Sequence, residues 1–583
     1  MTPERAADWR RAAAAALAAL LFFACANVFI AVPDTASYWS WAQSIARELD
    51  LDFANQFEEH RFRVRLMYLT PADRIANDWP IGTGLLLLPA VALGPLAAHA
   101  WIAFLGIAAL ALAARAAQAP PAAALAFLAG TPLLFYLLFG AFFSHIPAFA
   151  LSTAFLLLWW KTAEERAVHE WLLLGLLLGA CACVRPQLAL LGLVFAADAP
   201  AWIRARSAPA RGLAVAAMGA LGGFAPQLLA WRLLYGKWLA LPKSEEMRWS
   251  APELWNVVFS DYHGVATWTP LTLLGAAGLA ALWRADRRAA AGFGLVLAAQ
   301  LYINAANMVW WGSGSFGQRR LVDISAILLV GLGALWSVAA GRPRARFLLG
   351  GTALLCCAWT LLLLAAERRG LVLLDRYIPM RGPEFRSHLA ATAGQPLDTA
   401  RALAAPLLRG EFPAARAASA IALGAAVGGL LWRLPRMSRG ALRPLAGCAL
   451  AAAVGASALV AAAGLRTPPV DDPEAAAQLG RTPRTVWENH LEYAHYQLNQ
   501  YEFAEAERTA RAAIAMFPQG GAPWWYLAAS LYLQDRFEES RAALLELFAR
   551  EPHHALGARL AADLGARGFP VEAPPAPREA IAP

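Results

Sequence analysis

The stretch AAAAALAALLFFACANVFIAVPDTASYWSWAQSIARELD, residues 12–50, changes character at Pro33. Its first half is an apolar run of the roughly 20 residues that an α-helix needs to cross the hydrocarbon core of a bilayer. Its second half at once presents Asp34, Tyr38, Trp39 and Trp41, then the acids Glu48, Asp50 and Asp52. ACA at 24–26 resembles a small-residue cleavage site, and basic residues precede the run. Many further apolar runs follow, which favours an uncleaved first span. Either way, the segment that begins at Asp34 emerges on the outer face.

The rest of the chain repeats the pattern. Of 583 residues, 59% are hydrophobic and 16% charged, and the mean hydropathy is +0.44. A soluble enzyme of this size carries more charge and less apolar surface. Because a lipid-exposed backbone must satisfy its own hydrogen bonds, runs of this length read as helices and not as a barrel. The expected fold is all-α, a polytopic bundle of about thirteen spans that begins near 11–32 and ends near 443–464, with 120–139, 142–160 and 187–203 among them.

The net charge of +9 does not indicate nucleic acid. Its arginines fall in short clusters between apolar runs: Arg204, Arg206 and Arg211; Arg284, Arg287 and Arg288; Arg342, Arg344 and Arg346; Arg433, Arg436 and Arg439. That is the positive-inside pattern, not a basic footprint on one soluble domain. The longer connections, 33–94, 235–265, 310–320 and 367–416, then fall on the outer face, which becomes the expected working face. All six cysteines lie in apolar segments, and CAC at 181–183 lacks the spacing and the partner histidines of a zinc site. No cofactor is expected, and no metal motif is present, which leaves carboxylates as the one route to a divalent metal.

Beyond residue 465 the hydropathy collapses. Residues 466–486 read as a linker, and 487–567 as helical repeats. Pro518 and Pro552 share a 34-residue offset with Ala494 and Ala528, Phe503 and Phe537, and Glu505 and Glu539. Small residues would let paired helices pack closely, and the prolines would end the second helix of each unit. This period resembles the tetratricopeptide repeat. Two units are fewer than the three usually needed for independent stability. The Pro- and Ala-rich tail, 568–583, reads as disordered.

In YWSWAQSIARELD, Trp41, Ile45 and Leu49 recur at helical spacing, as in an amphipathic helix lying at the membrane interface. Taken alone, Asp34 reads as the N-cap of that helix. Other segments change the balance: NDWPIGTGLLLLPA (77–90), FAPQLLAWRLLYGKW (224–238), VFSDYHGVATWTPL (258–271) and NMVWWGSGSFGQRRLVDI (307–324).

Together these sequences resemble the C-type membrane glycosyltransferases that use polyprenyl-phosphate-linked sugars, the superfamily of protein O-mannosyltransferases and lipid A aminoarabinose transferases. The resemblance covers roughly residues 11–340 and rests on DTASY after the first span, WPIG, the PQ…W…LYG helix end and GSGSFGQRR. It implies a transmembrane catalytic domain over 1–465 and transfer of a sugar, with inversion, to an acceptor on the outer, periplasmic face of a bacterial-type inner membrane. Asp34 would be the base that takes the acceptor proton. Arg319, Arg320 and Arg185, with Lys243 behind them, would bind the donor phosphate. Tyr38, Asp78, His263, Trp310 and Trp311 are the expected substrate contacts. The partners implied are the polyprenyl-phosphate sugar, the membrane, and a protein reached through the repeats.

The family often carries two adjacent acids in its first loop. Here Thr35 follows Asp34, so Asp50, Asp52 or Asp78 supplies a second acid, or none does. The arginines could equally snorkel to headgroups, and His145 reads as a hydrogen-bonded helix histidine. A different class also fits: a non-catalytic scaffold for cell-envelope assembly acting through the repeats. A transporter fits less well, since neither an inverted repeat nor a chain of intramembrane acids is visible.

Overall fold

The computed structural model describes residues 3–28, 30, 32–61, 67–163, 166–204, 209–240, 247–375, 378–409, 413–433, 442–472 and 484–572. Lys243, part of the linker and most of the tail lie outside them. Among the described residues the regular structure is helical, with no strand. The chain folds as two compact units: Met1–Pro242, Trp249–Ala306 and Trp310–Arg481 form one, and Lys243–Arg248, Asn307–Val309 and Thr482–Pro583 the other.

The first unit is built from α1 (Pro3–Cys25), α2 (Pro33–Gln43), α3 (Gly82–Val91), α4 (Pro95–Ala116), α5 (His145–Lys161), α6 (Val168–Val184), α7 (Ala210–Tyr235), α8 (Leu271–Ala285), α9 (Arg287–Ala306), α10 (Ser325–Ala339), α11 (Pro343–Arg368), α12 (Pro413–Arg433) and α13 (Leu442–Arg466). Short helices and two 3-10 segments, Pro186–Asp198 and Arg319–Ile324, join them. Among the described residues, eight helical stretches are long and apolar enough to cross a membrane, and α3, α6 and α8 are shorter apolar helices.

The departures from the expected spans have local causes. The run at 120–139 is divided at Gly130, where Pro132 follows and the Thr131 hydroxyl donates back to the Phe127 carbonyl at 2.7 Å. The run at 187–203 begins as a 3-10 segment because Arg185 is extended and Pro186 starts a new turn. The first span stops at Cys25, before the expected end at 32. There the buried Arg416 of α12 donates from Nη1 to the Phe23 and Ala26 carbonyls, at 3.1 and 2.8 Å. A cation on orphan carbonyls suits a helix C-terminus.

The helix after Asp34 corrects two expectations. Val32, in extended conformation, is the N-cap of α2, Pro33 opens it, and Asp34 sits in its first turn without capping it. Nor does α2 have a wet face, because every residue from Thr35 to Gln43 is buried. Trp39 packs against Phe142 and Trp41 against Phe53, with ring centroids 5.0 and 4.7 Å apart. The interleaved small residues Ala36, Ser37, Ser40 and Ala42 let neighbours approach all round, so periodicity alone misread a core helix as an interfacial one.

At a second locus, Asp198 collects Arg166 Nη1 at 2.8 Å, Arg288 Nε at 2.5 Å and Trp159 Nε1 at 3.1 Å. This knot ties the end of α5 to the start of α9 across the Pro186–Asp198 segment.

The second unit contains α14 (Arg484–Asn499), α15 (Phe503–Met516), α16 (Ala522–Tyr532), α17 (Phe537–Arg550) and α18 (Ala555–Ala566). Consecutive helices pack on one another. Ala494, Ala506, Ala528 and Ser540 are fully buried between them, and Ser540 Oγ donates to the Ala528 carbonyl at 2.8 Å.

Candidate active site

The first turn of α2 presents Asp34. Its Oδ1 accepts from Trp79 Nε1 at 2.9 Å, and its Oδ2 is ion-paired with Arg319 Nη1 at 3.1 Å. About a fifth of the Asp34 side chain is exposed, against 11% for Arg319. A helix N-terminus favours a carboxylate there. The pair joins the first loop, WPIG and GSGSFGQRR at one point.

Trp79 is held from three sides. Its carbonyl accepts from Trp41 Nε1 at 2.9 Å, Asn77 Nδ2 donates to the Ser37 carbonyl at 3.0 Å, and the Ile81 amide donates to Gln227 Oε1 at 2.8 Å. The PQ motif of α7 thus fastens the WPIG segment. Two glycines permit the fit: a Cβ on Gly82 would meet the Cys183 carbonyl carbon at 2.5 Å, and one on Gly84 would meet Trp41 Cβ at 2.4 Å. Asp78 is 8% exposed and accepts from the hydroxyls of Tyr68 and Tyr235, the latter at 3.1 Å. It anchors the loop to the end of α7. Asp50 accepts from Ser44 Oγ at 2.7 Å, and Asp52 from the Ala54 amide at 3.0 Å, so both acids brace local turns.

The three arginines arrive from two directions. Arg319 and Arg320 open the 3-10 segment after GSGSFGQ, whose chain turns through positive φ at Gly312, Ser313 and Gly317. A Cβ on Gly312 would lie 3.3 Å from Arg319 Cγ, so the loop backbone rests on that side chain. Arg320 Nη1 donates to Asn304 Oδ1 at 3.0 Å, and Asn304 Nδ2 to Gln318 Oε1 at 2.8 Å. Arg185, at the end of α6, donates from Nη1 to Ser144 Oγ at 2.9 Å and pairs through Nε with Asp323 Oδ2 at 2.8 Å. The other oxygen of Asp323 bonds His145 Nδ1 at 2.8 Å.

Tyr38 lies within electrostatic reach of Arg185, Asp34 and Arg319. Burial, first of all, pushes its phenol up to about 12, so it stays protonated and can donate a hydrogen bond.

Trp310 and Trp311 lead into the GSGSFG loop, and His263 packs against it, its Nδ1 3.2 Å from Ser315 Oγ. All three are almost fully buried; Trp311 stacks on Tyr262 with centroids 5.6 Å apart, and His263 Nδ1 faces the Trp311 carbonyl at 3.1 Å. Neither tryptophan presents an exposed face. Ser315 Oγ, within 3.0 Å of the Trp311 and Gly317 carbonyls, closes the turn.

The structure therefore gathers Asp34, Tyr38, Arg185 and Arg319, with Arg320 on the same turn as Arg319. Asp50, Asp52 and Asp78 hold neighbouring backbone. Sequence reasoning missed Asp323, Ser144 and Asn304. The signal for Asp323 was present, an acid inside the apolar run that follows QRR, and His145 has the hydrogen bond expected of it.

No protein-family model and no curated protein matches the chain. Among solved structures the chain is similar to ArnT from Cupriavidus metallidurans bound to undecaprenyl phosphate, at 16% identity over 73% of this chain and 76% of that one, with a TM-score of 0.39.

Proposed function

We propose that this chain is an integral membrane glycosyltransferase of the C-type class, which moves a sugar from a polyprenyl-phosphate donor to an acceptor on the outer face of the membrane. The observation that carries the reading is the Asp34–Arg319 pair, a carboxylate and a guanidinium 3.1 Å apart and partly open to solvent, with Arg185 and Arg320 nearby. Guanidinium groups that gather beside one carboxylate suit an anionic leaving group.

In this reaction the acceptor oxygen attacks the anomeric carbon as the bond from that carbon to the phosphate oxygen breaks, inverting the centre. Asp34 takes the acceptor's proton. The polyprenyl phosphate departs with its added charge held by Arg319, Arg320 and Arg185, guanidinium forks suited to phosphate oxygens. Before donor binds, Arg319 is ion-paired with Asp34. A donor phosphate that draws Arg319 to itself leaves Asp34 Oδ2 facing the acceptor hydroxyl instead of that guanidinium. Asp34 acts alone, since the acids nearest in sequence are committed to turns and to tyrosines.

The helices of the second unit support a tetratricopeptide-like reading, with small residues buried at the expected positions. On the outer face they would present an acceptor protein or recruit an envelope enzyme.

The deciding experiment is Asp34→Asn, which keeps the volume and the acceptor for Trp79. Transfer in membranes should fall by ~100-fold or more, and lipid-linked sugar should accumulate in cells as it does without the protein. Full activity at normal expression would remove Asp34 as the base. Loss of function on deleting residues 482–583, with Asp34→Ala silent, would select the scaffold.

A further inference from the structure

We infer that Asp323 is a positioning residue for donor recognition: it aims Arg185 at the phosphate and makes the crowding of three guanidinium groups tolerable. The inference rests on the donor-phosphate reading above. Asp323 is 0% exposed, and its carboxylate is divided between His145 Nδ1 and Arg185 Nε, each at 2.8 Å. Its backbone carbonyl also accepts from Ser152 Oγ of α5. It lies on the same 3-10 segment as Arg319 and Arg320, so one six-residue segment carries two of the guanidinium groups and the anion that pairs with the third.

The electrostatics require such a group. All three guanidinium groups lie within electrostatic reach of the His145–Asp323 pair, and like charges in a poorly hydrated site repel strongly. Arg319 is ion-paired with Asp34, and Arg320 Nη1 donates to Asn304 Oδ1. Arg185 is offset by Asp323. A buried carboxylate is costly unless it is paired, so Asp323 and Arg185 stabilise each other across two elements.

Orientation follows from the same contacts. Arg185 Nε lies 2.8 Å from Asp323 Oδ2 as an ion pair, and Nη1 donates to Ser144 Oγ. With the Gln187 amide turned so that its oxygen faces the guanidinium, that oxygen takes the single Nε–H at 2.8 Å and an Nη2–H at 2.7 Å, so Asp323 holds the guanidinium by charge and Gln187 by hydrogen bonds. A fork held on several sides loses little freedom when an anion reaches its open edge.

Binding of farnesyl phosphate, a short polyprenyl phosphate, to the full chain in detergent tests this. Arg185→Gln and Asp323→Asn should each weaken binding by about tenfold, and the double variant should be no weaker than Arg185→Gln alone. Additive losses, or wild-type affinity for Asp323→Asn while Arg185→Gln is impaired, would overturn the positioning role and leave the donor site standing. Wild-type affinity for both Arg185→Gln and Arg319→Gln would remove the donor-site reading, and this inference with it. Where Asp323→Asn does not accumulate, Asp323→Glu carries the same cycle: its longer side chain displaces Arg185, so its penalty must vanish in the Arg185→Gln background.

Discussion

Asp34 and Arg319, 285 residues apart in the chain, meet at 3.1 Å. Trp79 completes the junction from a third segment. The carboxylate sits at the start of a buried helix, and the guanidinium on a turn whose preceding loop bends through glycine. Each is useful only where the other is.

The two arginines of the QRR motif should respond differently. Arg319 meets Asp34 through one nitrogen and lies over the Phe143 ring, 5.5 Å from its centroid. An ammonium cannot reproduce that planar geometry. Arg319→Lys should therefore raise the donor KM by about tenfold or more, with a smaller effect from Arg320→Lys, since it is Arg319 Nη1 that pairs with Asp34 while Arg320 Nη1 donates to Asn304 Oδ1. Steady-state kinetics with a fixed acceptor separates the two, and equal effects would count against a special role for Arg319.

Close approach of backbone to backbone makes Gly82 sensitive to one methyl group. Its Cβ would lie 2.5 Å from the Cys183 carbonyl carbon, which cannot move without displacing the end of α6 and Arg185 with it. Gly82→Ala should destabilise by about 1–3 kcal/mol and reduce activity as well. Gly294→Ala in α9, where nothing lies within 4 Å, is the control and should leave the melting temperature in detergent unchanged or slightly higher.

Removing Asp198 strands two guanidinium groups, Arg166 at 3% exposure and Arg288 at 21%. Breaking one partner of a buried pair costs about 3–5 kcal/mol, and the partial exposure of Arg288 puts Asp198→Ala toward the lower end. Yield and thermal stability measure it. Replacing Arg166 and Asp198 together by apolar residues should recover part of the loss.

Acid should act on the loop through His263. Burial, opposed by the Trp311 carbonyl and reinforced by Arg319, holds its imidazole down to about 3. The folded chain therefore binds fewer protons than the unfolded chain, whose histidines titrate near 6.5. The stability is fully present above that pH and is lost as the pH falls toward 3, at up to about 1.4 kcal/mol per pH unit. In His263→Gln the slope of melting temperature against pH below 6.5 should flatten; an unchanged slope would assign acid sensitivity to other groups.

A reporter active only in the periplasm, fused after Pro583, should be active if the repeats share the compartment of the Asp34 loop. An inactive fusion would put them in the cytoplasm and end any role in presenting an acceptor.

The membrane character of the chain was legible in the sequence, because hydropathy is a property of neighbouring residues. Helix ends were less so. The break after Gly130 and the early stop at Cys25 depend on Pro132 and on Arg416, the second of them nearly 400 residues away. The burial of α2 on every face was hidden for the same reason: alternating tryptophan and small residues serve an interface or a core, and only the surrounding helices decide which.

For the candidate site, the sequence by itself supplied the cast: an acid just past the first apolar run, the WPIG segment and a glycine loop ending in two arginines. Only the tertiary structure decided the pairings. It gave Asp34 to Arg319 and Trp79, committed Asp78 to two tyrosines, packed Trp310 and Trp311 out of solvent, and brought in Asp323. The reason is physical: a buried charge or hydrogen-bonding group must find its partner in space, and burial depends on every element packed around it.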